Sequence, residues 1–133
     1  MQYSENEMAT KTYNLTNGKP ILEIKLAFAD GERSIKALID TGASHTMISP
    51  EIVKKLGLNK RGQTGMNTPN GRSTTNEFKI HINSLDLNLN DEVTVYSKDN
   101  YNMTEAILIG RDILSKGIFV YNGKIKCFTL EKY

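Results

Sequence analysis

Lys36-Ala37-Leu38-Ile39-Asp40-Thr41-Gly42-Ala43-Ser44-His45 is the stretch on which the reading of this chain turns. The apolar run Ala37 to Ile39 predicts a short buried strand, and Gly42 permits the turn that ends it. The strand delivers one carboxylate, Asp40, into that turn. A carboxylate at the end of a buried strand is poorly solvated, so it requires hydrogen-bond donors close by. Thr41, Gly42 and Ser44 offer hydroxyl and backbone N–H groups for this purpose. Asp-x-Gly is also the ordinary composition of an Asx-type turn, and the three residues alone go no further than that.

A second stretch of the same kind follows, Ala106-Ile107-Leu108-Ile109-Gly110-Arg111-Asp112-Ile113-Leu114. Again an apolar strand runs into a glycine, with a short helical segment after it. Taken in order and at this separation, the two stretches resemble the retropepsin-like aspartic proteases, over roughly Ile21 to Leu130. The type resembled is the single-domain one of bacteria, phages or mobile elements. The resemblance implies an all-β fold, a small closed barrel with one or two short helices, assembled as a homodimer. It implies that Asp40 is catalytic, that Thr41 locks two such loops together, and that the Gly42 N–H holds the carboxylate. Ala43 completes the loop. Unlike the hydroxyl residue that pepsin-type enzymes carry at that place, it cannot donate a hydrogen bond.

Peptide hydrolysis by carboxylates alone needs two of them sharing a proton, one acting as base toward water and one polarising the carbonyl. The chain has a single Asp-Thr-Gly, so the expected enzyme is a homodimer contributing Asp40 twice across a two-fold axis. Asp112 heads a helical segment and lacks a following Thr-Gly, which makes it structural. Retroviral relatives carry an acidic residue after the Ala of the loop, paired with the Arg after the second glycine. Here Ser44 holds that place while Arg111 is kept, so Arg111 requires another partner. Activity is thus expected to be that of an aspartic endopeptidase, on extended peptide or protein substrates. A non-catalytic dimerisation or peptide-binding module of the same fold is the alternative.

Composition agrees with one domain: 133 residues bury a real core but not two. A net charge of +2 makes no case for nucleic acid or an anionic membrane as a partner. The one cysteine, Cys127, excludes an intrachain disulfide and lies in an apolar alternating run, as a packed thiol does. His45 and His81 share no ligand spacing with Cys127, so neither a metal nor a cofactor is expected. Ser44 beside His45 is no nucleophile–base pair, because adjacent residues of an extended chain point to opposite faces. No apolar segment approaches membrane-spanning length and residues 1–19 lack the apolar core of a secretory signal, so the expected location is the cytoplasm.

Along the chain, residues 1–19 read as a flexible polar arm and 20–133 as the domain. Tyr13 and Leu15 hint at a strand before Asn17-Gly18. Leu22, Ile24, Leu26 and Phe28 alternate with Glu23 and Lys25 as a half-buried strand, and Asp30-Gly31 reads as a two-residue hairpin turn. Ser49-Pro50-Glu51 starts a short helix that Gly57 stops. The glycine-punctuated segment 59–76 predicts a protruding hairpin, with Thr68-Pro69-Asn70-Gly71 as a type I turn at its tip. In the resembled family this place holds the flap that closes over substrate. Phe78, Ile80 and Ile82, then Leu85, Leu87 and Leu89, continue an alternating pattern. Val93 and Val95 belong to another strand. Asn122-Gly123 marks a final hairpin that includes Ile125 and Cys127.

Overall fold

A computed structural model describes residues 10–68, 71–99 and 102–133. The frayed arm expected at the N-terminus falls, for residues 1–9, outside the described residues. From Lys11 the chain takes part in the fold: β1 (Lys11–Asn14) pairs antiparallel with the last strand, and Tyr13 stacks on Phe128 with ring centroids 5.2 Å apart. Burial, then a hydrogen bond to Asp86, pushes the Tyr13 hydroxyl well above its ordinary range.

β2 (Ile21–Phe28) and β3 (Gly31–Ile39) form the first long hairpin. Leu22, Ile24 and Leu26 are buried on one face while Glu23 and Lys25 are exposed on the other, as the period of two requires. The turn is Ala29-Asp30, one residue earlier than the sequence suggests. Phe28 pairs directly with Gly31, whose φ of 122° suits glycine. After the Asp40 turn come β4 (Met47–Ile48) and α1 (Pro50–Leu56). The helix begins as expected: Ser49 Oγ accepts from the Ile52 N–H at 3.3 Å, and Pro50 takes the first turn. Gly57 ends it in the left-handed conformation.

β5 (Gly62–Thr68) and β6 (Gly71–Ser84) make the protruding hairpin, paired from Gly62 opposite Glu77 to Thr68 opposite Gly71. The type I turn expected at Thr68-Pro69-Asn70-Gly71 rests on Pro69 and Asn70, which lie outside the described residues. β7 (Leu89–Ser97) returns alongside β6. Alternation through Leu85, Leu87 and Leu89 does not mark a continuous strand. Residues 85–88 are a turn in which Leu85 is 87% exposed and Leu87 is buried, with Asn88 at a positive φ. β8 (Ile107–Ile109) leads into the single turn α2 (Arg111–Leu114). β9 (Ile118–Asn122) and β10 (Cys127–Glu131) close the chain through a four-residue connection, so Ile125 is exposed at its tip rather than in a strand.

The strands make two sheets, one in the order β1-β10-β9 and one in the order β2-β3-β8-β4-β7-β6-β5. β6 also pairs back onto β2, through Lys25 opposite Asn83 and Leu26 opposite Ile82, so six strands close a barrel and β5 stays outside it. Its interior is filled by Ile24, Leu26, Ile48, Ile82, Val95, Ile107 and Ile109, with Phe128 and Leu130 packed in from the terminal sheet. Each such side chain contributes about 1.5–3 kcal/mol by leaving water. This all-β barrel with two short helices is the architecture that the sequence predicts. Cys127 is buried and unpaired. Among the described residues no helix is long and apolar enough to cross a membrane.

Candidate active site

One register decides where the site lies. β3 and β8 run parallel with Ala37 opposite Ile107 and Ile39 opposite Ile109. Parallel neighbours end together, so the turn after Ile39 and the turn after Ile109 emerge side by side. The ladder continues one step further, as the Asp40 N–H donates to the Ile109 carbonyl at 2.9 Å.

The chain then folds back on itself. The Ala43 N–H donates to the Asp40 carbonyl at 3.2 Å, and the Gly42 N–H donates to Asp40 Oδ1 at 2.9 Å. A Cβ on Gly42 would stand 3.2 Å from that same oxygen, so glycine lets the amide approach the carboxylate closely. Asp40 is half-buried, while Thr41, Gly42 and Ser44 are exposed around it. The carboxylate is oriented by a backbone amide and still faces an accessible turn.

The second turn braces the first. The Arg111 N–H donates to the Ala43 carbonyl at 2.9 Å, and its guanidinium donates to the Thr41 carbonyl at 2.7 Å and to Ser44 Oγ at 3.0 Å. Ser44 and a main-chain carbonyl therefore take the place of the acidic partner that Arg111 lacks. Behind them, Asp112 accepts from the Thr46 N–H at 2.9 Å and from Thr46 Oγ1 at 2.7 Å, and also from the Ile113 N–H. Thr46 is fully buried, and its hydroxyl in turn accepts from the Gly110 N–H at 3.2 Å. Gly110 has no unusual backbone angles, with φ at −94°. It is a glycine because of crowding: a Cβ there would lie 2.6 Å from the carbonyl carbon and oxygen of His45 and 3.0 Å from the Ala43 carbonyl.

A third element touches the outer end of the turn. The Tyr96 N–H donates to the Thr46 carbonyl at 3.0 Å, and the His45 ring packs on the Tyr96 ring at 4.9 Å. Ser44 and His45 thus turn to different partners. Burial, then the Glu77 carboxylate that hydrogen-bonds it, pushes the Tyr96 hydroxyl above its usual range and keeps it a neutral donor. Glu77 stands opposite Tyr96 on β6 and opposite Gly62 on β5. The base of the protruding hairpin is in this way linked to the Asp40 turn.

Of the residues singled out by sequence, Asp40, Thr41, Gly42 and Ala43 come together in one turn, and Asp112 is structural as expected. Thr68 and Gly71 face each other at the far end of the hairpin. Sequence reasoning passed over Thr46, whose only signal is a hydroxyl at the head of an apolar strand. It left Arg111 without its acceptors, because no pattern marks a main-chain carbonyl as a partner. Among the described residues, no group of three or more His, Cys, Asp or Glu side chains is placed to hold a metal ion.

A closed barrel whose paired turns present one oriented aspartate defines an acid-protease type of domain. Residues 27–116, well over half of the chain, match the family described as "gag-polyprotein putative aspartyl protease", and the chain belongs to that family. Its fold is similar to that of a retropepsin-like aspartic protease from Rickettsia conorii, with a TM-score of 0.65 at 16% identity over 92% of this chain and 89% of that one. It is similar as well to EIAV protease in complex with the inhibitor HBY-793, with a TM-score of 0.53 at 19% identity over 73% and 86%. The retroviral protease-like domain of Ddi1 from Leishmania major gives a TM-score of 0.53 at 17% identity over 83% and 87%. At these identities the likeness is one of fold. No curated protein matches the chain by sequence.

Proposed function

We propose that the protein is a homodimeric aspartic endopeptidase in which Asp40 of each of two copies forms the catalytic dyad. The observation that carries this reading is the Asp40 carboxylate itself, half-buried at an accessible turn and held by the Gly42 N–H at 2.9 Å. In the dimer one carboxylate takes a proton from water as the water attacks the peptide carbonyl, and the other, protonated, donates to the carbonyl oxygen. Collapse of the tetrahedral intermediate returns a proton to the leaving amine. Thr41 ties the two loops across the two-fold axis, and the hairpin tip, Thr68-Pro69-Asn70-Gly71, covers the peptide. The reading needs no cofactor. It takes the enzyme to be cytoplasmic.

The test is Asp40→Asn, which keeps the shape of the side chain and removes its base. The expected outcome is a folded dimer that cleaves no member of a peptide library that the wild type cleaves. Wild-type specific activity should rise with protein concentration and level off as the dimer forms, since one chain carries half a site. Cleavage by the purified variant at near the wild-type rate overturns the assignment of Asp40. A wild-type dimer that cleaves nothing supports the non-catalytic module instead.

A further inference from the structure

Arg111 is the residue of the site whose charge is left over. Its guanidinium is exposed, yet it is fixed to the Asp40 turn by two hydrogen bonds, to the Thr41 carbonyl and to Ser44 Oγ. Both acceptors are neutral. Among the described residues no carboxylate pairs with it, the ion pairs being Lys11 with Asp86, Lys19 with Glu105, Arg33 with Asp30, and Lys55 with Glu51. The neighbouring Asp112 is turned inward and occupied by Thr46 and the Ile113 N–H. A guanidinium carries more N–H donors than these two bonds use, in a planar fork that matches a carboxylate. The cation is therefore held in place, partly solvated and open to one more acceptor.

We propose that Arg111 is a specificity-determining residue, selecting peptides with an acidic side chain a few residues from the scissile bond. The inference rests on the protease reading, since it is that reading that brings a peptide across the Asp40 turn. Arg111 grips the same turn that presents Asp40, through the Thr41 carbonyl and Ser44 Oγ, so its free donors lie beside the path of a peptide crossing that turn. The acidic residue is accordingly expected at one fixed position within a few residues of the bond that is cut. A pair at a partly exposed site is modest, so the preference for Glu over Gln is expected to be roughly three- to tenfold and to shrink with added salt.

The experiment uses a mixed peptide library with Glu or Gln at every position. Cleavage products are read by mass spectrometry for wild type, Ser44→Asp and Arg111→Gln. The ratio of Glu to Gln at each position is internal to each enzyme, so it does not depend on overall rate. Wild type is expected to enrich Glu at one position. Ser44→Asp, which supplies Arg111 with a carboxylate from its own loop, is expected to bring that ratio to about one, as does Arg111→Gln if its loop holds. A wild-type ratio near one, or a ratio unchanged in Ser44→Asp, overturns the proposal while leaving the protease reading standing. If wild type cleaves nothing, the protease reading falls. Capture of the same library on immobilised Asp40→Asn protein, with and without Ser44→Asp, then decides the specificity by itself. Glu enrichment lost on adding Ser44→Asp supports it, and equal capture of Glu and Gln peptides overturns it.

Discussion

The Asp40 turn and the β5–β6 hairpin both project from the barrel, and they are held in opposite ways. The turn is fastened from behind by a segment some 70 residues away in sequence, with Gly110 packed against its main chain and Thr46 locked to Asp112. Beyond Asn76 the hairpin's strand ladder is its own: β7 pairs with residues 76–84 of β6, and further out β6 pairs with β5. A two-stranded ribbon by itself is marginal in water. What the contrast teaches is that accessibility and rigidity are set separately here. The acid is half-buried at an accessible turn and yet firmly held, because its support comes from long-range contacts rather than from covering.

The sharpest way to break this contrast is to force the two turns apart. Gly110→Ala puts a methyl group 2.6 Å from the His45 carbonyl, where main chain and not a side chain must yield. It is expected to destabilise by about 3 kcal/mol or more, read by denaturant unfolding. A cost below 1 kcal/mol shows the turns to be loosely coupled. Asp112→Ala should come next, at about 2–4 kcal/mol, because it strands the buried Thr46 donors. Combined with Thr46→Val it should cost clearly less than the sum of the two, and plain additivity means that the bonds carry little.

The hairpin half of the comparison is read by amide exchange. Strand β5 and residues 71–75 of β6 should exchange at least about a hundredfold faster than residues 78–82, which are locked into the barrel. A peptide-like inhibitor should slow the hairpin more than it slows the Asp40 turn, which is already braced. Equal protection of both in the free protein removes the difference between them.

The smallest effect belongs to another projecting turn, at Asp30. Its carboxyl is held below the ordinary range chiefly by the hydrogen bond from Arg33 at 2.6 Å. A lowered value means that the contribution is present above the ordinary carboxylate range and fades as pH falls through the lowered one. The group is fully exposed, so Asp30→Asn should shift thermal unfolding only slightly at neutral pH and not at all in strong acid. A large shift at neutral pH gives this turn more weight than its exposure allows.

Much of this was legible because the relevant physics is local. Ile39-Asp40-Thr41-Gly42 reads as strand into turn, and Ser49-Pro50 with Gly57 bounds a helix, from preferences acting within a few residues. Leu85-Asp86-Leu87-Asn88-Leu89 misleads for the same reason: a turn that buries its third residue keeps the period of two that marks a strand. The four-residue connection after Asn122 hides behind a dipeptide that suits a tighter one. The Thr46–Asp112 lock and the acceptors of Arg111 are not legible at all, because they depend on which strand ends meet. Only the β3–β8 register supplies that.

That register also sets a clock. The residues that brace the Asp40 turn follow their partners in it by 64 to 70 positions, so a chain made from its N-terminus has Asp40 long before it has Gly110, Arg111 or Asp112. Contacts at such separation form late, after the loop between them has closed. In the proposed protease, Asp40 is made early but its turn stays unbraced until the β8–α2 segment has been made and has docked.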